Sequence, residues 1–168
     1  MIKKFFAWTI ATAGGAGFVP KAPGTAGTVV GIPLAYWTRN WEFGPKFFFW
    51  AAICVIGTWA AKSIDEMVGS SDNQKIVIDE VAGYGITAWT AGASIVTIAA
   101  AFVLFRIFDV IKPPPVRQID RWSKKKAAEK SGSASAWWGG FGVMGDDIFA
   151  GFLALAVILI LQKFAVLP

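Results

Sequence analysis

A run of 25 residues without a charged side chain, residues 81–105, constrains the fold of this chain more than any other feature. Three shorter uncharged runs accompany it, at residues 22–38, 47–61 and 148–162. A helix that crosses a bilayer needs about 17–25 apolar residues, so the longest run suffices and the others are marginal. No run alternates apolar and polar residues as a half-buried strand does. The pattern therefore predicts helices in a membrane.

The composition and the N-terminus favour the same class of protein. Apolar residues make up 55% of the 168 residues and charged residues 16%, whereas soluble domains carry about 25% charged residues. Nine tryptophans and fourteen phenylalanines are typical of aromatic belts at membrane interfaces. The N-terminal "MIKKFFAWTIATAGGAG" predicts an amphipathic helix rather than a cleaved signal peptide. We predict one all-α membrane domain, residues 1–168, with short or re-entrant helices.

The positions of the basic residues indicate whether the longest uncharged run crosses the bilayer once or turns back as a hairpin. Cytoplasmic loops carry an excess of lysine and arginine, and Lys3, Lys4 and Lys21 favour a cytoplasmic N-terminus. A single crossing by residues 81–105 would export seven basic residues, Lys112, Arg117, Arg121, Lys124, Lys125, Lys126 and Lys130. A hairpin that turns near residues 90–94 avoids this, although its first arm, about 17 Å long, is too short to span. We favour the hairpin, with that arm re-entrant or covered by protein, over the single crossing.

A low-complexity segment, "SKKKAAEKSGSASA", occupies residues 123–136. Its composition predicts a basic helix end followed by a flexible loop of serine, glycine and alanine. Its lysines are suited to binding anionic lipid headgroups.

The amino-acid inventory excludes several kinds of chemistry. The chain has no histidine, which excludes Ser-His-Asp catalysis and histidine-ligated zinc. Cys54 is the single cysteine, and neither a P-loop nor a nucleic-acid-binding motif is present. We assign the net charge of +5 to cytoplasmic loops and lipid headgroups, not to nucleic acid. Carboxylates, amines, guanidinium groups and hydroxyls remain, an inventory that favours a hard divalent cation.

Several acidic residues lie near the edges of the apolar runs, namely Asp72, Asp79, Glu80, Asp109, Asp146 and Asp147. They are explained equally well as markers of helix ends, with Asp146 and Asp147 at a helix N-terminus. The hairpin would bring them to one cytoplasmic face, where oxygen ligands suit Mg²⁺. We expect a magnesium site at this face.

Two motifs offer cations to an anionic ligand. In "FRIFDVIKPPPVRQIDRW", a helix would place Arg106, Asp109 and Lys112 on one face, with Arg117 held beyond the prolines. This face is either a solvated row of ion pairs or a phosphate site. The turn-rich "GAGFVPKAPGTAGT" contains Lys21 and Thr25 near the start of a predicted helix, where backbone N–H groups can bind an anion.

The chain resembles the phosphatidylglycerophosphatase A family in four stretches that follow one another in the same order. They are "GFVPKAPGTAGT", "DNQKIVIDEVAG", "FRIFDVIKPPPVRQID" and "GGFGVMGDDIFAG", of which the third is specific. Asn73, where proline is expected, and Thr28, where serine is common, depart from the family pattern. The resemblance implies a Mg²⁺-dependent, multi-pass enzyme of the bacterial inner membrane. It would hydrolyse the terminal phosphomonoester of phosphatidylglycerophosphate, with its active site facing the cytoplasm.

The resemblance and the residue inventory together give hypothetical roles to the polar side chains. Metal binding is assigned to Asp79, Glu80, Asp109, Asp146 and Asp147. Catalysis is assigned to Asp79, Glu80 and Asp109, with Asp79 or Glu80 as general base. Phosphate binding is assigned to Lys21, Thr25, Arg106, Lys112 and Arg117. The alternatives are a cation or proton transporter that uses these carboxylates, and a non-catalytic protein that binds anionic lipids.

Overall fold

The computed structural model describes residues 2–69, 73–130 and 132–168, and the prediction of an all-α fold is confirmed. The helices are α1 (Ile2–Ala11), α2 (Pro23–Thr38), α3 (Phe43–Val68), α4 (Ile78–Thr87), α5 (Ile95–Ile111), α6 (Val116–Ala128) and α7 (Gly132–Lys163). Short 3-10 helices form at Ala16–Phe18 and Ala88–Thr90. Within the described ranges 80% of the structure is helical and no strand occurs.

The longest helix, α7, is the centre of the bundle and packs against α3, α4, α5 and α6. Glycines let these helices approach closely, as small residues do between membrane helices. A Cβ on Gly151 would lie 2.5 Å from the carbonyl oxygen of Gly83 in α4, and one on Gly140 would lie 2.9 Å from that of Thr58 in α3. The backbones of α4 and α3 therefore touch α7 directly.

The uncharged run at residues 81–105 forms the predicted hairpin and is not one continuous helix. Helix α4 ends at Thr87, and the chain turns before Ser94 caps α5 by accepting a hydrogen bond from the Thr97 N–H, at 3.2 Å. The Thr87 hydroxyl donates to the carbonyl oxygens of Gly83 and Gly151, at 3.0 and 3.3 Å. These bonds hold the end of the short arm against α7.

Of the segment 123–136, the predicted basic helix end is present as the last turns of α6, whereas the predicted flexible loop of serine, glycine and alanine is wrong from Gly132 onward. Helix α6 continues to Ala128, and α7 already begins at Gly132. Asp146 and Asp147 consequently lie in the middle of a 32-residue helix and not at a helix N-terminus. Contacts of α7 with α3 and α6 stabilise this glycine-rich stretch as a helix despite its low intrinsic propensity.

Two helices, α3 and α7, are long and apolar enough to cross a membrane, as judged by length and composition. The predicted amphipathic N-terminal helix is present as α1. It buries Ala7 and Ala11 and leaves Phe5 and Phe6 exposed.

The end of the bundle that contains the α4–α5 turn is closed by polar contacts to backbone carbonyls. Lys46 is 4% exposed and donates from Nζ to the carbonyl oxygen of Trp89, at 2.7 Å. The Gln162 amide donates to the carbonyl oxygen of Pro168, at 2.8 Å, and accepts from the Thr90 hydroxyl, at 2.9 Å. Buried side chains such as Trp50, Tyr84 and Phe105 fill the core of the bundle.

Candidate active site

The first turn of α4 supplies two carboxylates, Asp79 and Glu80. The N–H of Val77, just before this turn, donates to the carbonyl oxygen of Ala11, at 2.8 Å, which fixes the start of α4. The contact between Gly83 and Gly151 brings this turn beside Asp147. One carboxylate oxygen from each of Asp79, Glu80 and Asp147 lies within 4.8 Å of the other two. Residues far apart in the sequence thus form a carboxylate trio.

The last turns of α5 add a cation and a fourth carboxylate to this trio. Arg106 Nη1 donates to Asp109 Oδ2, at 2.6 Å, and lies 3.9 Å from Glu80 Oε1. Arg106 therefore connects Asp109 to the start of α4. The helix spacing of three residues produces the Arg106–Asp109 contact, as the sequence indicates.

Lys112 connects α5 to α6 and α7. It ends α5 in the left-handed conformation, with φ 48°. Its Nζ pairs with Asp146 of α7 and lies 3.3 Å from Asp120 Oδ1 of α6. Lys124 also pairs with Asp120, at 2.9 Å. Asp146 thus pairs with Lys112, whereas its neighbour Asp147 belongs to the carboxylate trio.

The N-terminus of α2 approaches the same carboxylates through Gly24. A Cβ at this position would overlap Glu80 Oε1 and lie 3.1 Å from Arg106 Nη1. Only glycine lets the backbone come this close without moving Glu80. The free N–H groups at a helix N-terminus carry a partial positive charge that favours anions.

These groups surround a cleft of about 470 Å³. Its lining includes nine of the ten predicted site residues, namely Lys21, Thr25, Asp79, Glu80, Arg106, Asp109, Lys112, Asp146 and Asp147. Arg117 is not among the described residues of the lining; it is exposed and donates to the carbonyl oxygen of Ile111, at 3.3 Å. Asp72 lies outside the described residues.

The sequence interpretation missed the part of the cleft contributed by α6. Asp120, Ser123 and Lys124 line it, as do Asn73 and Gln74 before α4. The spacing of Asp120 and Lys124, four residues apart, was the available signal. The same spacing is common on solvated helix faces and does not by itself identify a site.

Burial and the charges of neighbouring carboxylates make Asp79 and Glu80 costly to ionise. Burial raises the pKa of Asp79 well above its usual range, and the charges of Glu80 and Asp147 raise it further. Burial also raises the pKa of Glu80. In the part of the chain that the structure describes, Asp79 Oδ1, Glu80 Oε2 and Asp147 Oδ2 are buried without a hydrogen-bond partner. Such oxygens are rare in folded proteins, so the trio is suited to a bound cation.

The charge balance of the cleft supports the same interpretation. Of the described residues, six carboxylates but only four basic side chains line it. Three of the four basic side chains, Arg106, Lys112 and Lys124, already pair with carboxylates. An anionic ligand would therefore meet an excess of negative charge unless a cation occupies the trio.

Fold and site define an all-α protein with long apolar helices and a polar cleft in which carboxylates that could hold a cation lie beside basic side chains. The family model of phosphatidylglycerophosphatase A matches residues 9–162. The chain belongs to this family.

Curated relatives cover most of the chain. A protein of Haemophilus influenzae and one of Escherichia coli, both named phosphatidylglycerophosphatase A, are 33% and 32% identical to it. The alignments span 88% and 90% of this chain and 83% and 81% of the relatives. A Bacteroides thetaiotaomicron protein named "Putative phosphatidylinositol-3-phosphatase" is 34% identical over 88% of this chain and 90% of its own length. No solved structure matches the chain.

Proposed function

We propose that this protein hydrolyses the terminal phosphomonoester of phosphatidylglycerophosphate to phosphatidylglycerol and inorganic phosphate. Family membership and the names of two relatives support this activity. The observation that carries the proposal is the trio of Asp79, Glu80 and Asp147 beside the Arg106–Asp109 pair in one cleft. This arrangement joins ligands for a hard cation to groups that bind phosphate oxygens.

We infer that Mg²⁺ is the cofactor. The carboxylate oxygens without partners fit a hard cation, and Mg²⁺ typically binds one or two carboxylates together with a phosphate. Asp79, Glu80 and Asp147 would hold it, with Asp109 and Asp146 adjacent in the cleft. When bound, Mg²⁺ supplies positive charge that polarises phosphate and lowers the pKa of water.

The remaining groups have roles that follow from their positions. Arg106 and Lys112 would bind the phosphate oxygens, helped by the N-terminus of α2 at Thr25. Glu80 would accept a proton from the attacking water while the new phosphorus–oxygen bond forms. The bond from phosphorus to the glycerol oxygen then breaks, and that oxygen takes up the proton.

We propose that the cleft faces the cytoplasm in a multi-pass protein of the bacterial inner membrane. The basic residues of α6 support this orientation, since cytoplasmic segments are enriched in lysine and arginine. Anionic lipids would be attracted to the same face.

A second candidate substrate is phosphatidylinositol 3-phosphate. The name of the Bacteroides thetaiotaomicron relative favours it, at an identity of 34% compared with 33% and 32% for the other two relatives. Both lipids carry a phosphomonoester on a polyol headgroup, so the same cleft chemistry would serve either.

The test is phosphate release by the purified protein in detergent micelles from each of the two lipids, with Mg²⁺ and then with EDTA. We expect release from phosphatidylglycerophosphate that EDTA abolishes and added Mg²⁺ restores. If neither lipid releases phosphate, the result would contradict the proposal and favour the transporter or the lipid-binding alternative. Faster release from the phosphoinositide would assign the second substrate.

A further inference from the structure

A second groove, of about 460 Å³, lies beside the catalytic cleft. Its lining residues are Phe18, Val19, Pro20, Lys21, Pro23, Asn73, Gln74 and Lys75. Four of them, Lys21, Pro23, Asn73 and Gln74, also line the cleft. The two cavities therefore adjoin along a shared wall, and a ligand that passes over these residues would reach from one into the other.

The walls of the groove are held together by close backbone contacts. Gly17 packs so tightly on the carbonyl group of Lys75 that a Cβ there would overlap its oxygen. The Phe18 ring stacks on the Trp8 ring of α1, with 6.1 Å between centroids. The groove is thus formed before any ligand binds, which lowers the entropic cost of binding.

Two lysines give the groove a positive charge that the protein does not neutralise within its described residues. Neither Lys21 nor Lys75 takes part in an ion pair among residues 2–69, 73–130 and 132–168. Arg106 and Lys112 in the adjacent cleft are both paired with carboxylates. An anionic group that is not bound to a metal ion is therefore more favourable in this groove than in the cleft.

The outer edge of the groove is apolar. Phe18 is 55% exposed and Val19 44% exposed, next to the exposed aromatic face of α1. Lys75 Nζ lies 5.5 Å from the centroid of the Phe18 ring. Lysines beside exposed aromatic rings suit the boundary between lipid headgroups and acyl chains.

We propose that this groove is a subsite for the phosphodiester of the lipid substrate, with Lys21 and Lys75 binding the diester oxygens. The inference rests on the proposed function. Both lipids named above carry a phosphomonoester and a phosphodiester on the same polyol, on carbons that are separated by one other carbon. The monoester occupies the cleft, the polyol lies over Pro23 and Gln74, and the diester reaches the groove. Phe18 and Val19 then meet the start of the acyl chains.

The subsite is tested by steady-state kinetics of the full-length protein in mixed micelles. Two substrates are compared: phosphatidylglycerophosphate, and the same lipid with its diester methylated to a neutral triester. The variants are Lys75→Gln, Lys21→Gln and, for charge conservation, Lys75→Arg. Lys130→Gln is the matched control, because Lys130 is an exposed lysine outside both cavities.

For the natural lipid we expect Lys75→Gln and Lys21→Gln each to lower kcat/KM about fivefold through KM, as the loss of an exposed charge contact implies. For the triester, wild type and both variants should have equal kcat/KM. Lys75→Arg should restore most of the loss, and Lys130→Gln should match wild type with both lipids.

Two results would overturn the subsite while leaving the proposed activity in place. One is equal kcat/KM of the wild-type protein for diester and triester. The other is a loss in Lys75→Gln that is the same for both substrates, which would indicate a structural role for the lysine. Absence of phosphate release by the wild-type protein would instead contradict the proposed function itself.

Discussion

At the scale of single residues, three buried carboxylate oxygens without hydrogen-bond partners dominate the energetics of the cleft. An uncompensated buried polar atom costs about 1–3 kcal/mol, and more when it is charged. Asp79, Glu80 and Asp147 therefore destabilise the fold unless protons or a cation neutralise them. A site that costs stability in this way is typical of function.

Removing one charge from the carboxylate set should abolish most of the activity and leave the fold intact. We expect Asp79→Asn, Asp109→Asn and Asp147→Asn each to lower kcat on the order of 100-fold or more, because each removes a group that binds the cation or orients Arg106. Phosphate release measures the effect, and circular dichroism checks the fold. The control is Glu129→Gln, an exposed acid at the end of α6. Near-normal activity in all three variants would refute the metal site.

Gly24 tests the close approach of α2 to the site. In Gly24→Ala the new methyl group overlaps Glu80 Oε1, so Glu80 must move. We expect a loss of kcat on the order of tenfold or more, since small misplacements of catalytic groups are costly. Gly44→Ala is the control, because nothing lies within 4 Å of a Cβ at Gly44. Equal activity of the two variants would contradict this account.

At the scale of elements, the short hairpin arm and the long central helix were predictable to different degrees. The hairpin follows from charge, because a single crossing would export seven basic residues. The extent of α7 does not follow from sequence: its first half is rich in glycine, and contacts with α3 and α6 decide its conformation. Nine of the predicted residues line the cleft: eight are acids or bases near the ends of apolar runs, and Thr25 belongs to the turn-rich motif. Asp120 was missed because its spacing of four residues from Lys124 is also common on solvated helix faces.

The crossing of α4 and α7 sets the distance between Asp79 and Glu80 on α4 and Asp147 on α7. Gly151→Ala places a methyl group 2.5 Å from the Gly83 carbonyl oxygen and should push the helices apart. We expect the free energy of unfolding to fall by about 1–3 kcal/mol, as overpacking does, and activity to fall with it. Thermal unfolding in detergent measures the change.

Gly145→Ala on the same helix is the matched stability control. Its nearest neighbour would be Ile119 at 3.5 Å, an ordinary contact. Alanine in place of an interior helix glycine should then be neutral or stabilising. A Gly151→Ala variant as stable as Gly145→Ala would contradict the proposed role of the crossing.

At the scale of the whole molecule, the carboxylate cluster links stability to pH. The folded-state pKa values of Asp79 and Glu80 are raised, so the folded state binds protons more tightly than the unfolded state. Their stabilising contribution is complete below the usual carboxyl pKa of about 4 and is lost as pH rises through the raised values. Protein in EDTA should therefore unfold at lower temperature at pH 8 than at pH 5.

Added Mg²⁺ should oppose this loss, because a ligand that binds only the folded state stabilises it. We expect the rise in unfolding temperature on adding Mg²⁺ to be larger at pH 8 than at pH 5, and to disappear in Asp79→Asn. Scanning calorimetry with and without EDTA measures both effects. A rise that is independent of pH and persists in Asp79→Asn would show that Mg²⁺ binds elsewhere.

The end of the bundle that contains the α4–α5 turn is closed, and this limits how a lipid headgroup can enter and leave the cleft. Lys46, Gln162 and the C-terminal carbonyl group seal that end, and the packed core separates it from the cleft. Among the described residues, the cleft therefore does not continue through the bundle to its far end. A headgroup that enters from the side of the cleft and groove must leave on the same side, so both products of the proposed reaction would return to the compartment from which the lipid came.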